Sequence, residues 1–489
     1  MAPAGSPNDH FPTLCSCTKL ADGQSLYDVK FFPYPTTDEE PIFAVTGSSN
    51  IFICRPKLDA DPPFEVLRWF QLDDASFLAW CRDPVTRKPL VCVAGERPKQ
   101  IQIFDVETGE HVRSLVGHGA AINDLAISPL SSSLLASASA DYTIRLWNLD
   151  PEYEDQPCVA IFAGDGHRQH VLVCHFHPNG RWMLTAGLDT AIALWAVPSM
   201  DELTKHRTLD GHPAPLTVYY PHFHSTEVHA NYIDTAVFFG DFIVSRAAKD
   251  QSEDRAHNKS GQKVKIVPNE ILLWRIDGFD SDNDPPAEPP IPSTGVWTRS
   301  SFPHDPHSRG FQRLMTFDMP NTTRFYLRFG LLHQPGMRPI LAMGNEESRF
   351  LFWDLQKLEE GYDPDEEKVV KQPRRRKGKG VAAGAQVNES NLDRLGELRR
   401  GESVAGSDAG AGTPDPSSTS ISVPPERKYD LGDPFMPLKA HHSVVASTSL
   451  SPKKHFAMAQ IAWSPDGRWM VGVGDYGMMC IFHRDGSVV

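Results

Sequence analysis

Short β-strands set in a repeating unit account for most of this chain, and two observations carry that reading. Runs of four to eight aromatic and β-branched residues recur between clusters of Gly, Pro, Asp and Asn, while helical periodicity is rare. This is the pattern of strands divided by turns, and it predicts an all-β fold. The strands also repeat. Gly117-His118 precedes a stretch carrying Ser137, Asp141 and Trp147, and Gly166-His167 precedes one carrying Thr185, Asp189 and Trp195. The His-to-His step is 49 residues, and the Asp and Trp steps are both 48. Four positions held in register across two units point to a ring or array of similar units.

Each position of the unit has a physical role. The Asp occupies a tight turn between two strands, where turn amides and the His of the preceding loop can donate to it. The Ser or Thr hydroxyl and the Trp indole N–H extend the network. A buried carboxylate with these donors is satisfied, whereas one without them is costly. His118, Ser137, Asp141 and Trp147, and equally His167, Thr185, Asp189 and Trp195, therefore read as structural tetrads. A Ser-His-Asp catalytic reading is outweighed because the set repeats, and repetition means architecture. At these residues the chain resembles the WD-repeat family, whose units are four-stranded propeller blades.

Weaker copies complete the ring. Residues 43–55 end a first unit, and residues 90–106 end a second with Phe104-Asp105 in the Trp-Asp place. The tetrads mark the third and fourth units. Residues 228–245 and 269–276, with Trp274, form a fifth; residues 340–355, with Trp353-Asp354, a sixth; residues 461–484, with Phe482 near the Trp position, a seventh. The expectation is a seven-bladed closed β-propeller with a long disordered insertion between blades six and seven. Closure removes exposed sheet edges. The expected domains are an N-terminal segment 1–23 that can supply a closing strand, blades one to six over 24–363, the insertion 364–428 and the seventh blade over 429–489.

Composition supports a packed body. The chain has 489 residues, 40% hydrophobic and 22% charged, and no apolar run reaches the ~18 residues of a membrane span. No secretory leader is visible, and eight scattered cysteines are too few for a disulfide scaffold, so they read as small buried hydrophobes in a reducing compartment. Two stretches break the period. Residues 249–268 interrupt a hairpin of the fifth unit. Residues 364–428 hold no Phe, Trp or Tyr and are rich in Gly, Ser, Ala, Pro and charge, so disorder is expected. That segment has 12 basic and 10 acidic residues, which leaves about −16 of the formal −14 on the remainder. Within it Arg374, Arg375, Arg376, Lys377 and Lys379 form a basic run suited to nuclear import, to a weak nucleic-acid contact, or simply to a solvated loop. The acidic body suits a basic partner.

Catalytic chemistry finds no support. There is no Walker A loop, nucleophile elbow or zincin motif. His167, His170, Cys174, His175 and His177 tempt as metal ligands, but their spacing is loose. His167 belongs to a tetrad, and Cys174 points away from His175 and His177 on a strand. No metal and no cofactor are expected, and a binding platform is the default.

The family can be narrowed. Residues 116–129, 141–150, 159–172, 188–195, 228–245 and 324–330 occur in an order and at intervals that resemble the EED / Extra sex combs family, the WD-repeat subunits of Polycomb repressive complex 2. The resemblance covers roughly residues 25–485 apart from the two insertions. It implies a nuclear, non-catalytic scaffold that reads trimethyl-lysine of the histone H3 tail in an aromatic cage at the central mouth. It also implies an Enhancer-of-zeste-type SET-domain methyltransferase bound on the opposite face and stimulated by the mark, a Suppressor-of-zeste-type zinc-finger subunit, and transcriptional repression. Carried over by position, the cage walls are Phe31 and Tyr326, with Phe77 as the third; Phe325 and Arg328 pack beside the peptide. The family's Tyr lies four residues before a Trp, where this chain has Ser76, and strand alternation turns Phe77 away unless a bulge shifts it. Trimethylammonium donates no hydrogen bond and is weakly hydrated, so ring faces attract it by about 0.5–2 kcal/mol per good contact. The rival class is a generic propeller adaptor such as a ubiquitin-ligase substrate receptor, whose Trp-Asp-x-Arg box is missing after Trp147, Trp195, Trp274 and Trp353.

Overall fold

The computed structural model describes residues 10–21, 23–34, 40–72, 74–209, 214–248, 270–360, 432–446 and 455–484. The expected insertions 249–268 and 364–428, with the basic run Arg374–Lys379, lie outside the described residues.

Seven sheets, antiparallel apart from one parallel outer strand each in blades three and five, form a seven-bladed propeller. Alternating strand sequences generate them, but both faces of each blade are covered by neighbours, so the inner strands read as nearly continuous apolar runs such as Leu134–Ser139 and Trp182–Gly187. The innermost strands are Leu26–Phe31, Phe77–Arg82, Ile122–Ile127, Val171–Phe176, Ile233–Phe239, Gly330–Leu332 and Met458–Trp463. The core is a circle of layers between blades. Phe162, Val171 and Trp195 lie in the layer joining blades three and four, and Phe350, Met458 and Phe482 in that joining six and seven.

The ring is closed by chain-distant strands. Thr13–Lys19 pairs antiparallel with Met478–His483 and becomes the outer strand of blade seven. His442–Val445 pairs with Arg349–Asp354, so this segment, assigned from sequence to the seventh blade, is the outer strand of the sixth. The sixth unit lacked an outer strand within its own stretch, and a period count cannot see a strand supplied from 87 or more residues onward. Blades three, four and five each gain a fifth strand, Leu216–Val218, Thr298–Ser300 and Pro437–Leu438 respectively.

A recurring irregularity positions the central channel. In blades one, three, four, five and seven the innermost strand carries a register shift at its second residue: Tyr27, Asn123, Leu172, Asp234 and Ala459. A bulge of this kind bends the strand and re-aims a side chain. Blade two has none, and Phe77 sits directly opposite Ala94.

Candidate functional site

The tetrads are built first, because they hold the blades that frame the channel. His118 Nδ1 bonds Asp141 Oδ2 at 2.9 Å and its Nε2 bonds Ser137 Oγ at 2.7 Å, while the Trp147 indole donates to the same hydroxyl at 2.8 Å. In blade four His167 reaches Asp189 at 3.2 Å and Thr185 Oγ1 at 2.8 Å, and the Trp195 indole donates to Thr185 at 2.9 Å. Burial pushes the Asp141 carboxyl up, but the bonds from His118, Thr143 and the Gly119 amide outweigh it and hold it well below the usual carboxylate range. A third, partial set went unread in the sequence. His229 bonds Ser245 Oγ at 2.7 Å and the Trp274 indole donates to it at 2.9 Å, with no Asp joining them among the described residues. The stretch 249–268 between Ser245 and Trp274 breaks the spacing that would have revealed it.

Of the tempting metal-ligand set, His167 belongs to its tetrad and Cys174 packs in the core between blades three and four. His175 borders the central channel, and burial pushes its imidazole down to about 4.

Two cavities occupy the channel. One, of about 410 Å³, is bordered by residues at the starts of the innermost strands, the second residue Tyr27 and the first residues Phe77 and Ile122, together with Tyr326 and Arg328. The other, of about 390 Å³, is bordered by the second halves of the same strands, including Phe31, Trp80 and Ile127. They are therefore opposite mouths of one channel.

The first mouth gathers aromatic rings. Phe77 and Tyr326 stand 5.6 Å apart between centroids with planes tilted by 53°, and Phe325 meets Tyr326 edge-on at 4.1 Å. Tyr27 borders the same cavity with 42% of its surface exposed. Phe77 reaches the mouth because its strand lacks the bulge. A regular strand one residue shorter brings the residue three before Trp80 to the place that a bulge would give the residue four before it. The sequence suggested that Phe77 would need a bulge to face the mouth, and the regular strand brings it there without one.

Phe31, expected as a wall, is not there. It is 6% exposed, packs on Phe43 at 5.3 Å and borders the opposite mouth. Four residues of strand separate it from Tyr27, about 13 Å at 3.3 Å per residue. Tyr27 borders the first mouth instead, at the bulged position of its strand. Its signal in the sequence was its place next to the strand's start, in Leu26-Tyr27-Asp28, which a match on aromatic type alone passed over.

Arg328 is also relocated. Expected beside a bound peptide, it is 6% exposed and lies beneath the rings, its guanidinium carbon 5.3 Å from the Phe77 centroid and 5.4 Å from that of Tyr326. It donates to Asp124 at 3.1 Å and to the carbonyls of Leu172 and Asn123 at 2.8 and 3.3 Å. Burial pushes the Asp124 carboxyl up, but Arg328 and Lys30 outweigh it and hold it below its ordinary value. Arg328 borders both cavities and so forms the partition between them.

The loop bearing Phe325 and Tyr326 is held from blade five. Arg246 and Asp234, both fully buried, form a close ion pair, and Arg246 donates to the carbonyls of Thr322 and Arg324 at 3.0 Å each. The Tyr326 amide donates to Asp234 at 3.0 Å. Tyr326 has φ of +57°, an uncommon conformation for a residue with a side chain, and these bonds over-determine it.

Comparison with known proteins agrees with this architecture. Residues 109–148 and 156–196 match the family model "WD domain, G-beta repeat". The chain is 32% identical to "Polycomb protein EED" of Chaetomium thermophilum over 95% of this chain and 92% of that protein. It is 32% identical to "Polycomb protein esc" of Musca domestica over 68% of this chain and 70% of that protein. Among solved structures it is similar to a chain in the crystal structure of the Chaetomium thermophilum polycomb repressive complex 2, with TM-score 0.74, 32% identity, and 98% of this chain and 99% of that chain covered. A structure of that complex with H3K27me3 and H3K27M contains a chain matching with TM-score 0.73 at 32% identity, over 98% and 99% of the two chains.

Proposed function

The chain belongs to the EED / Extra sex combs family of Polycomb WD-repeat proteins, and on that premise we propose that it is the non-catalytic scaffold and histone reader of a Polycomb-type H3 lysine methyltransferase complex. Convergence of Tyr27, Phe77 and Tyr326 on one cavity of about 410 Å³ carries the reading. A trimethylammonium group seated among them gains about 0.5–2 kcal/mol from each well-placed ring. Arg328 lies behind two of the rings, and its charge is balanced by Asp124, so it stiffens the walls without opposing a bound cation. Phe325, 38% exposed at the edge of Tyr326, offers an apolar surface to residues flanking the lysine.

In this reading the partners are a SET-domain methyltransferase of the Enhancer-of-zeste type, stimulated when the mark is bound, and a zinc-finger subunit of the Suppressor-of-zeste type. The setting is nuclear chromatin. A solved complex in which the relative appears together with H3K27me3 supports the choice of ligand. Calorimetry with an H3 peptide carrying trimethylated or unmodified lysine tests it. The trimethylated form should bind at least about tenfold more tightly, equivalent to about 1.4 kcal/mol. Equal binding of the two forms would sink the proposal. Tyr326→Ala should remove the preference.

A further inference from the structure

All eight cysteines are free thiols, and two pairs bring their sulfurs close together. Cys17 and Cys480 are 3.2 Å apart, and Cys81 and Cys92 are 3.3 Å apart. Three features separate the pairs. Cys17 and Cys480 face each other directly across the strand pair that closes the ring, whereas Cys81 faces Leu90 and Cys92 faces Ala79. Cys17 is half-buried and so open to solvent, while Cys81 and Cys92 are both fully buried. The Cys480 S–H donates to Cys17 and draws its thiol below the ordinary value. The Cys480 thiol is itself pushed well above it by burial and by that bond, as the Cys81 thiol is by its bond with Cys92 and by burial. Directly opposed residues of an antiparallel pair have Cβ atoms about 4.5–5.5 Å apart, and a disulfide needs about 3.5–4.5 Å, so a small approach of the two strands at this pair brings it within reach without a register change.

We propose that Cys17 and Cys480 form a redox modification site, at which a hydroperoxide converts the thiol pair to a disulfide joining the first strand of the ring to the last. The Cys17 thiolate attacks a peroxide oxygen and the O–O bond breaks. Hydroxide departs and takes up the Cys17 proton as water, leaving a sulfenic acid. The Cys480 sulfur then attacks the Cys17 sulfur, the S–O bond breaks, and the hydroxyl leaves with the Cys480 proton as a second water. Two thiols lose two electrons and one hydrogen peroxide gains them. The bond links residues 463 positions apart, so it encloses nearly the whole propeller.

The full chain, treated with a small excess of hydrogen peroxide and digested without reduction, tests the site by mass spectrometry. The expected products are a peptide linked through Cys17 and Cys480, reversed by a dithiol, and Cys81 and Cys92 still alkylatable after unfolding. In Cys480→Ser the Cys17 sulfenic acid should persist and be trapped by dimedone. Cys81→Ser should leave the linked peptide unchanged. Oxidation of Cys17 without linkage to Cys480, linkage of Cys81 to Cys92 at the same rate, or eight thiols surviving untouched would each overturn the proposal.

Discussion

Blades three and four hold the complete polar nets and lend no Phe, Tyr or Trp to the first mouth of the channel. Blades one, two and six lend Tyr27, Phe77 and Tyr326 and, among the described residues, carry no such net. Repetition and binding have thus been assigned to different parts of the ring. A net that recurs on every blade would fix the same turn everywhere, and the rings would have no place to differ. Where it is absent, the strand entry can lose a bulge, as at Phe77, or give way to a left-handed residue, as at Tyr326.

Four substitutions and titrations break or sharpen that contrast. The largest effect is expected from Phe31→Ala, which belongs to a ring-bearing blade yet serves the core. It should lose about 3–5 kcal/mol of unfolding free energy and leave the preference for trimethyl-lysine intact. A lost preference in the folded variant would return Phe31 to the cage. Asp141→Ala removes the acceptor of a net and leaves the His118 Nδ1 without its partner while Nε2 keeps Ser137; denaturant unfolding should report about 2–3 kcal/mol of destabilisation, again with binding preserved.

Tyr27→Ala reverses the pattern. Calorimetry should show up to about 2 kcal/mol of lost affinity for the trimethylated peptide, roughly thirtyfold, against a change in stability within about 0.5 kcal/mol. An unaltered affinity would mean that two rings suffice. The smallest effect per unit of change is a pH dependence set by His175. Its folded imidazole titrates at about 4 because burial disfavours the charged form, against 6.5 when exposed. Between these values the unfolded chain binds the extra proton, so stability rises with pH through the window and is flat above it. The slope from this one residue is at most about 1.4 kcal/mol per pH unit. His175→Gln should flatten that part of a melting-against-pH profile.

What could be read in advance follows the same division. The tetrads were legible because polar residues at a fixed spacing must satisfy one another, and that demand survives any change in the surrounding apolar sequence. Of the rings matched to the family's order, Tyr326 and Phe77 do border one mouth together. Phe31 was misread because Tyr27 and Phe31 are both aromatic, both in one six-residue strand, and their separation across the channel exists only once the strand is placed end-on. Arg328 looked like a surface contact because nothing local shows that Asp124 and two carbonyls from other blades enclose it. The outer strand of blade six, His442–Val445, lies too far along the chain for a period to find.

The innermost-strand carboxylates lead further. Asp28 accepts the Leu78 amide at 3.0 Å, Asp124 the Cys174 amide at 3.2 Å and Asp234 the Tyr326 amide at 3.0 Å. Each reaches from an odd-numbered blade to the next even one, tying one to two, three to four and five to six. Seven is odd, so such a scheme always strands one member, and here it is the blade assembled from both ends of the polypeptide. Parity alone therefore nominates the seventh blade as the seam where the circle first unzips. In native-state hydrogen exchange its amides should open before those of the three coupled couples.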